Sequence, residues 1–168
     1  MTGGGDGEAR RRRAAAAIYK PSHVKLLLVA EAPPAVLDRY FYFDDVREQD
    51  ALFRYVVRGV LGAEPTRSNK PALLARLRDA GVFLIDLLED PQADASVEEA
   101  ALRLVGRVQA LEPENVILIK VNVFDAAHGV LVKAGVPVVS ERIPFPGSGQ
   151  QRRFEAAFRR ALASIAFS

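Results

Sequence analysis

Residues 24–34 read Val24-Lys25-Leu26-Leu27-Leu28-Val29-Ala30-Glu31-Ala32-Pro33-Pro34, and this stretch decides the fold. The run 24–30 is short, apolar and bounded by turn residues, the pattern of a strand buried inside a parallel sheet. It stops at Glu31. Two consecutive prolines cannot extend a hydrogen-bonded ladder and disfavour helix in the residue before them, so the chain must leave as an irregular loop at the carboxyl end of a strand.

Working outward, strands and helices alternate. Asp44 and Asp45 can cap a helix over 46–61, with Leu52, Phe53, Val56, Val57 and Val60 at helical spacing and Gly62 as its stop. A helix over 71–80 follows, with Pro71 in its first turn, and 82–87 is a second strand. From Val97 to Leu111 the periodicity is helical again, with Ser96 and Glu99 spaced as a capping box. Residues 116–120 are a third strand, Asn122 can cap a helix ended by Gly135, and 136–139 make a fourth, short strand. The clearest amphipathic pattern is the last helix, 150–166, carrying Phe154, Ala157, Phe158, Ala161, Leu162 and Ile165. The expected architecture is a three-layer α/β/α sandwich around a four-stranded parallel sheet, with ligands in the crevice beyond the strands' carboxyl ends.

Composition bounds the chemistry. The 168 residues are 49% hydrophobic and 26% charged, as in one soluble globular domain. There is no cysteine, which excludes disulfides, Cys-ligated zinc, iron–sulfur clusters and a thiol nucleophile, and two histidines are too few for a histidine-rich metal site. No cofactor is expected. The formal charge is +2, but residues 1–17 hold Arg10 to Arg13 against Asp6 and Glu8; removing these four basic and two acidic residues from the totals of 23 and 21 leaves 19 of each. Residues 1–17 are expected to be a disordered basic tail, and 18–168 a single neutral domain. No apolar run reaches the roughly 18 residues of a membrane span, and the alanines at 14–17 are too few for a signal-peptide core, so a cytoplasmic location without membrane contact is expected.

Three loops leave strand ends with residues suited to chemistry. The first offers Glu31, the stiff Pro33–Pro34 pair and the cluster Tyr40, Phe41, Tyr42, Phe43; rings can stack on a ligand, although alternation buries two of the four. The second begins at Asp86. The third, 140–150, holds Arg142 and the run Gly147, Ser148, Gly149, where free backbone N–H groups at a helix start, with Arg142, Arg152, Arg153, Arg159 and Arg160 nearby, can meet a phosphate. Ser148 and Gln151 also have capping-box spacing.

Together, Ala30-Glu31-Ala32-Pro33-Pro34, the aromatic cluster and the late Ile143-Pro144-Phe145-Pro146-Gly147-Ser148-Gly149 loop resemble the uracil-DNA glycosylase superfamily. The family's first motif takes the form GEAPG in its thermostable branch, and its late motif is usually HPSP. The resemblance spans residues 22–167 and implies the family's fold, a DNA or nucleobase-containing partner and N-glycosylase (hydrolase) chemistry in DNA repair. It further implies that Ala32 and Pro33 line the base pocket, that Tyr42 or Phe43 stacks the base, that Asp86 reads it, and that Arg142 with Gly147, Ser148 and Gly149 holds backbone phosphate. Where best-known members carry an Asp and a His, this chain has Ala32 and Ile143. Glu31 is left to orient water, and no donor stands at the late position for the departing base. The family's base reader is an Asn; an ionised Asp86 only accepts hydrogen bonds, suiting an exocyclic amino group or a protonated ring nitrogen rather than uracil. Two other readings stand beside a divergent glycosylase: a non-catalytic binding domain on the same scaffold, and an enzyme acting on a free nucleoside-like molecule.

Overall fold

The computed structural model describes residues 3–34, 39–45, 50–90 and 95–168. Among them are six helices and three strands, in the order α1 (Gly3–Ile18), β1 (Leu26–Ala30), α2 (Ala51–Leu61), α3 (Lys70–Asp79), β2 (Val82–Asp86), α4 (Val97–Leu111), β3 (Asn115–Leu118), α5 (Val121–Lys133) and α6 (Gln151–Ser164). The sheet is parallel, in the order β2-β1-β3. β1 is central and every residue of it is buried, as its unbroken apolar run requires.

Moving from β1 to β2 the chain passes through α2 and α3; moving from β2 to β3 it crosses back over β1 through α4. Right-handed crossovers in opposite directions put those helices on opposite faces of the sheet. The packing agrees, with α2 against α3 and α6, and α4 against α5. The contact of α2 with α6 closes on Gly59, where a Cβ would lie 2.5 Å from the buried Phe158 ring.

Three expectations are corrected. The sheet has three strands rather than four: residues 136–139 contribute one parallel bridge, Val116 to Val138, and a second bridge joins Ile119 to Ile143. Pro137 has no N–H for a ladder, and Val138 N–H turns back to the Val136 carbonyl at 2.8 Å, so the segment kinks before it can pair further. The basic tail is helical. Arginine and alanine both favour helix, and α1 docks through Ala15 and Ala16, the buried Arg12, and Arg11, whose guanidinium stands 4.4 Å from the Phe43 ring centre. Finally, Asp44 does not cap α2; it accepts a 2.8 Å hydrogen bond from the Tyr19 hydroxyl, while Asp50 caps the helix by accepting from Phe53 N–H at 2.6 Å. Residues 46–49, read as the start of that helix, lie outside the described residues.

Ser96 accepts from Glu99 N–H at 3.1 Å, as its spacing predicts. No helix among the described residues is long and apolar enough to cross a membrane.

Candidate functional site

In a sheet of order β2-β1-β3, the chain leaves β1 toward one side and β3 toward the other. Their carboxyl ends therefore diverge and open a crevice, the usual ligand position in doubly wound sheets. A cavity of about 440 Å³ lies there, bounded by Glu31, Pro33, Tyr40, Asp86, Lys120 and Phe145 among others. The segment Ala30 to Pro34 lines it, as the position of the proline pair predicts.

Glu31 follows the last residue of β1, and Lys120 stands just beyond β3. Lys120 Nζ lies 2.6 Å from Glu31 Oε2, and Asn122 Nδ2 donates to the same oxygen. Glu31 Oε1 has no partner among the described residues. Partial burial opposes ionisation of this carboxyl, but the two hydrogen bonds and the Lys120 charge outweigh it and hold its pKa below the ordinary value. Lys120 pays backbone strain to stand there, with φ of 85°, at a cost of roughly 1–3 kcal/mol for a non-glycine residue. Asn122, expected to cap α5, is inside its first turn, and Lys120 occupies the N-cap position instead.

Asp86, the last residue of β2, is 9% exposed and lines the same cavity. Its side chain makes no hydrogen bond with any described residue. Burial pushes its pKa up to about 7 against Arg107 and Arg12, with Asp50 and Glu89 adding to the rise. Near neutrality Asp86 is therefore both acid and carboxylate; in its neutral form it donates as well as accepts, which the reading of it as a pure acceptor overlooked. Asp50 is raised likewise, to about 6, by burial against its cap bond and Lys70. Lys70, 1% exposed, is lowered to about 8 by burial; its Nζ donates to the Tyr40 carbonyl at 3.2 Å and lies 4.7 Å from the Phe53 ring centre.

The aromatic cluster divides differently from the expectation. All four rings are buried, and it is Tyr40 and Phe41 that line the cavity. Tyr42 accepts a 2.6 Å hydrogen bond from Leu84 N–H on the outer edge of β2, where no strand can satisfy it, and stacks on Tyr19. Phe43 packs beneath Arg11. Neither is placed to stack on a ligand in this cavity.

The late loop forms an adjoining groove, which shares Lys120 and Phe145 with the cavity and adds Arg142, Gly147, Ser148 and Arg153. Ser148 and Gly149 both have positive φ, 51° and 83°. The expected capping box is absent: α6 starts after Gln150 with no side-chain cap, leaving its first-turn N–H groups open. Arg142 is taken by Asp125 through two bonds of 2.9 and 2.7 Å, and Arg160 by Glu141 at 2.8 Å, whereas Arg153 has no partner among the described residues. Ile143 is fully buried in its bridge to Ile119 and borders neither hollow.

Sequence reasoning missed Lys120, Asn122 as a donor and Asp50, gave Phe145 no role of its own, and within the aromatic cluster favoured Tyr42 or Phe43 over Tyr40 and Phe41, which line the cavity. The signal for Lys120 was present: a lone charge ends the run Val116-Ile117-Leu118-Ile119, just as Glu31 ends the first strand. No group of histidine or acidic residues suited to a metal ion occurs among the described residues. No family model, no curated protein and no solved structure matches this chain.

Proposed function

We propose that this chain binds a nucleobase in nucleic acid on a scaffold resembling the uracil-DNA glycosylases, and acts as a divergent N-glycosylase. The observation that supports this best is Glu31 in the lining of the strand-end cavity, ionised by Lys120 and Asn122, with no partner for its Oε1 among the described residues. In hydrolysis of an N-glycosidic bond, water adds to the sugar C1′ while the base departs with the bonding electrons. Glu31 Oε1 accepts a hydrogen bond from that water, takes its proton, and faces the developing positive charge on the sugar. Lys120, whose ammonium borders both cavity and groove, supplies positive potential for the departing base, a service for which Ile143 has no donor.

Asp86 reads the base. As a carboxylate it accepts from an exocyclic amino group, so above about pH 7 an amino-bearing base is favoured over uracil. Arg153 and the open N–H groups of α6 take the flanking phosphate.

A second reading is an enzyme or binding module for a free nucleoside-like molecule. The neutralisation of Arg142 and Arg160 by acidic neighbours favours it, since it reduces the positive charge left to track a phosphate backbone.

The test is a screen of oligonucleotides carrying uracil, hypoxanthine, xanthine and mismatched bases, single-stranded and duplex, at low and moderate salt. Abasic sites formed by the wild type and not by Glu31→Gln support the glycosylase. Salt-sensitive binding without cleavage moves the protein to a recognition module. Salt-independent binding of free nucleosides alone favours the second reading.

A further inference from the structure

Behind the strand-end cavity lies a second hollow of about 560 Å³, between α1, α4 and the free edge of β2. Pro33, Tyr40, Leu84 and Asp86 border both and form the partition between them. Small side chains on the facing helices, Ala9, Ala16 and Ala17 of α1 and Ala110 of α4, keep the space open, while Phe83, Ile85 and Leu111 give it an apolar wall. Its volume falls in the range of small-molecule pockets.

Two polar groups in this hollow are nine-tenths buried and poorly satisfied by the described residues. Arg12 is 7% exposed, and its five N–H donors make one hydrogen bond among the described residues, a long one of 3.4 Å from Nη2 to the Glu89 carbonyl. Burying a guanidinium that is so poorly satisfied is costly unless an anion completes it. The Asp86 side chain, part of the partition, accepts no hydrogen bond from a described residue and meets Arg107 and Arg12 only through their charge. At the lip, Arg13 and Lys20 are exposed and form no ion pair with a described residue. Arg107 is engaged, with its Nε 2.9 Å from Glu89 Oε1 and its Nη1 donating to the Leu87 carbonyl at 3.3 Å. Among the described residues lining the hollow, four cations, Arg12, Arg13, Lys20 and Arg107, stand with three acids, Asp86, Glu89 and Asp90.

We infer that the hollow under α1 is a binding site for a small organic anion, its acidic group taken by Arg12 with Arg13 and Lys20 and its flat apolar body lying against Phe83, Ile85 and Leu111. This goes beyond the nucleobase reading and does not depend on it, because Arg12, Arg13, Lys20, Phe83, Ile85 and Leu111 line this hollow and not the strand-end cavity. An occupant here touches the partition through Asp86 and Tyr40, so it also reports to the strand-end cavity. The acidic group is a carboxylate or a phosphate monoester; both present oxygen atoms that match the guanidinium fork.

The test is an NMR titration of the full chain with benzoate, phenyl phosphate and, as an uncharged control, benzyl alcohol. Saturable shifts at the Arg12, Phe83 and Ile85 amides with the two anions, and none with benzyl alcohol, are expected. The tighter of the two anions identifies the acidic group. Arg12→Gln should weaken binding at least about tenfold, as loss of a charge-assisted pair does. The exposed double variant Arg13→Gln/Lys20→Gln leaves the packing of α1 intact and should weaken it by a few-fold, which keeps the test decisive if Arg12→Gln does not fold. Absence of saturable shifts up to ~10 mM, a concentration at which even weak fragments bind their pockets, overturns the site. Shifts centred instead on Glu31 and Lys120, or an affinity unchanged in the double variant, overturn it as well.

Discussion

The ends of β1 and β2 lie side by side, with Ala30 in register with Asp86, yet the carboxyl groups they carry are held in opposite states. Glu31 receives Lys120 and Asn122 and stays ionised; Asp86 sinks into the same cavity without a donor and keeps its proton to about pH 7. The residue class is the same and the strand position is nearly the same. The difference comes from the third strand: a cation and an amide from beyond β3 reach β1's end by hydrogen bonds, whereas at the end of β2, an edge strand, Arg107 and Arg12 act on Asp86 through charge and no described group donates to it. Environments that push two acids apart leave one carboxyl ionised and the other able both to donate and to accept near neutrality.

The largest effect should come from breaking the ionised end. Glu31→Gln should lower the rate of base release by at least about a thousandfold in single-turnover assays while leaving binding nearly unchanged, since its negative charge matters most in the transition state. Lys120→Met tests the same end more gently: without the ammonium, the Glu31 carboxyl returns toward its ordinary value, and the acidic limb of the pH–rate profile should move upward.

Asp86→Asn breaks the other end and should show in stability. A buried acid whose folded pKa is about 7, against 3.8, contributes stability that is complete below the unfolded value and is lost as pH rises through the folded one. Relative to the variant, the wild type should therefore lose roughly 2–4 kcal/mol between acidic and neutral pH and level off above about pH 7, in denaturant titrations at each pH. A constant offset across that range would contradict the burial of Asp86 as an unpartnered acid.

Smaller effects sharpen the contrast. Tyr42→Phe removes the acceptor from the Leu84 N–H and should cost ~1–3 kcal/mol, with faster amide exchange at Leu84. Asp125→Asn, which frees the exposed Arg142, should leave Tm unchanged within scatter but increase the salt sensitivity of any oligonucleotide binding.

Much of this was legible in the sequence because periodicity and punctuation carry it. The buried run ending in Glu31, the helix over Val97–Leu111 with its Ser96 cap, and the stripe through Phe154 and Phe158 all follow from local pattern. The fourth strand was not legible, since four apolar residues look like a strand whether or not Pro137 and a local turn prevent pairing. α1 was misread because its arginines suggest a solvated tail, and only tertiary contact shows that Arg11 has a ring to cover and Arg12 a cleft to enter. At the site, Glu31 and Asp86 could be placed from strand ends alone. Their partners could not: which strand neighbours β1, and hence that Lys120 reaches Glu31, is a property of strand order. Which rings of Tyr40 to Phe43 face the cavity depends on the turn that carries them, where strand alternation does not hold.

The central claim is that the cavity at the ends of β1 and β3 takes a nucleobase read by Asp86, and the most direct measurement is an amide-resolved NMR titration with free cytosine and free uracil at about pH 6 and about pH 8. The account predicts saturable shifts at Glu31, Asp86 and Lys120, with cytosine preferred at the higher pH and the preference narrowing or reversing at the lower, where Asp86 can donate. Shifts confined to other parts of the chain, or a base preference that ignores pH, would contradict it.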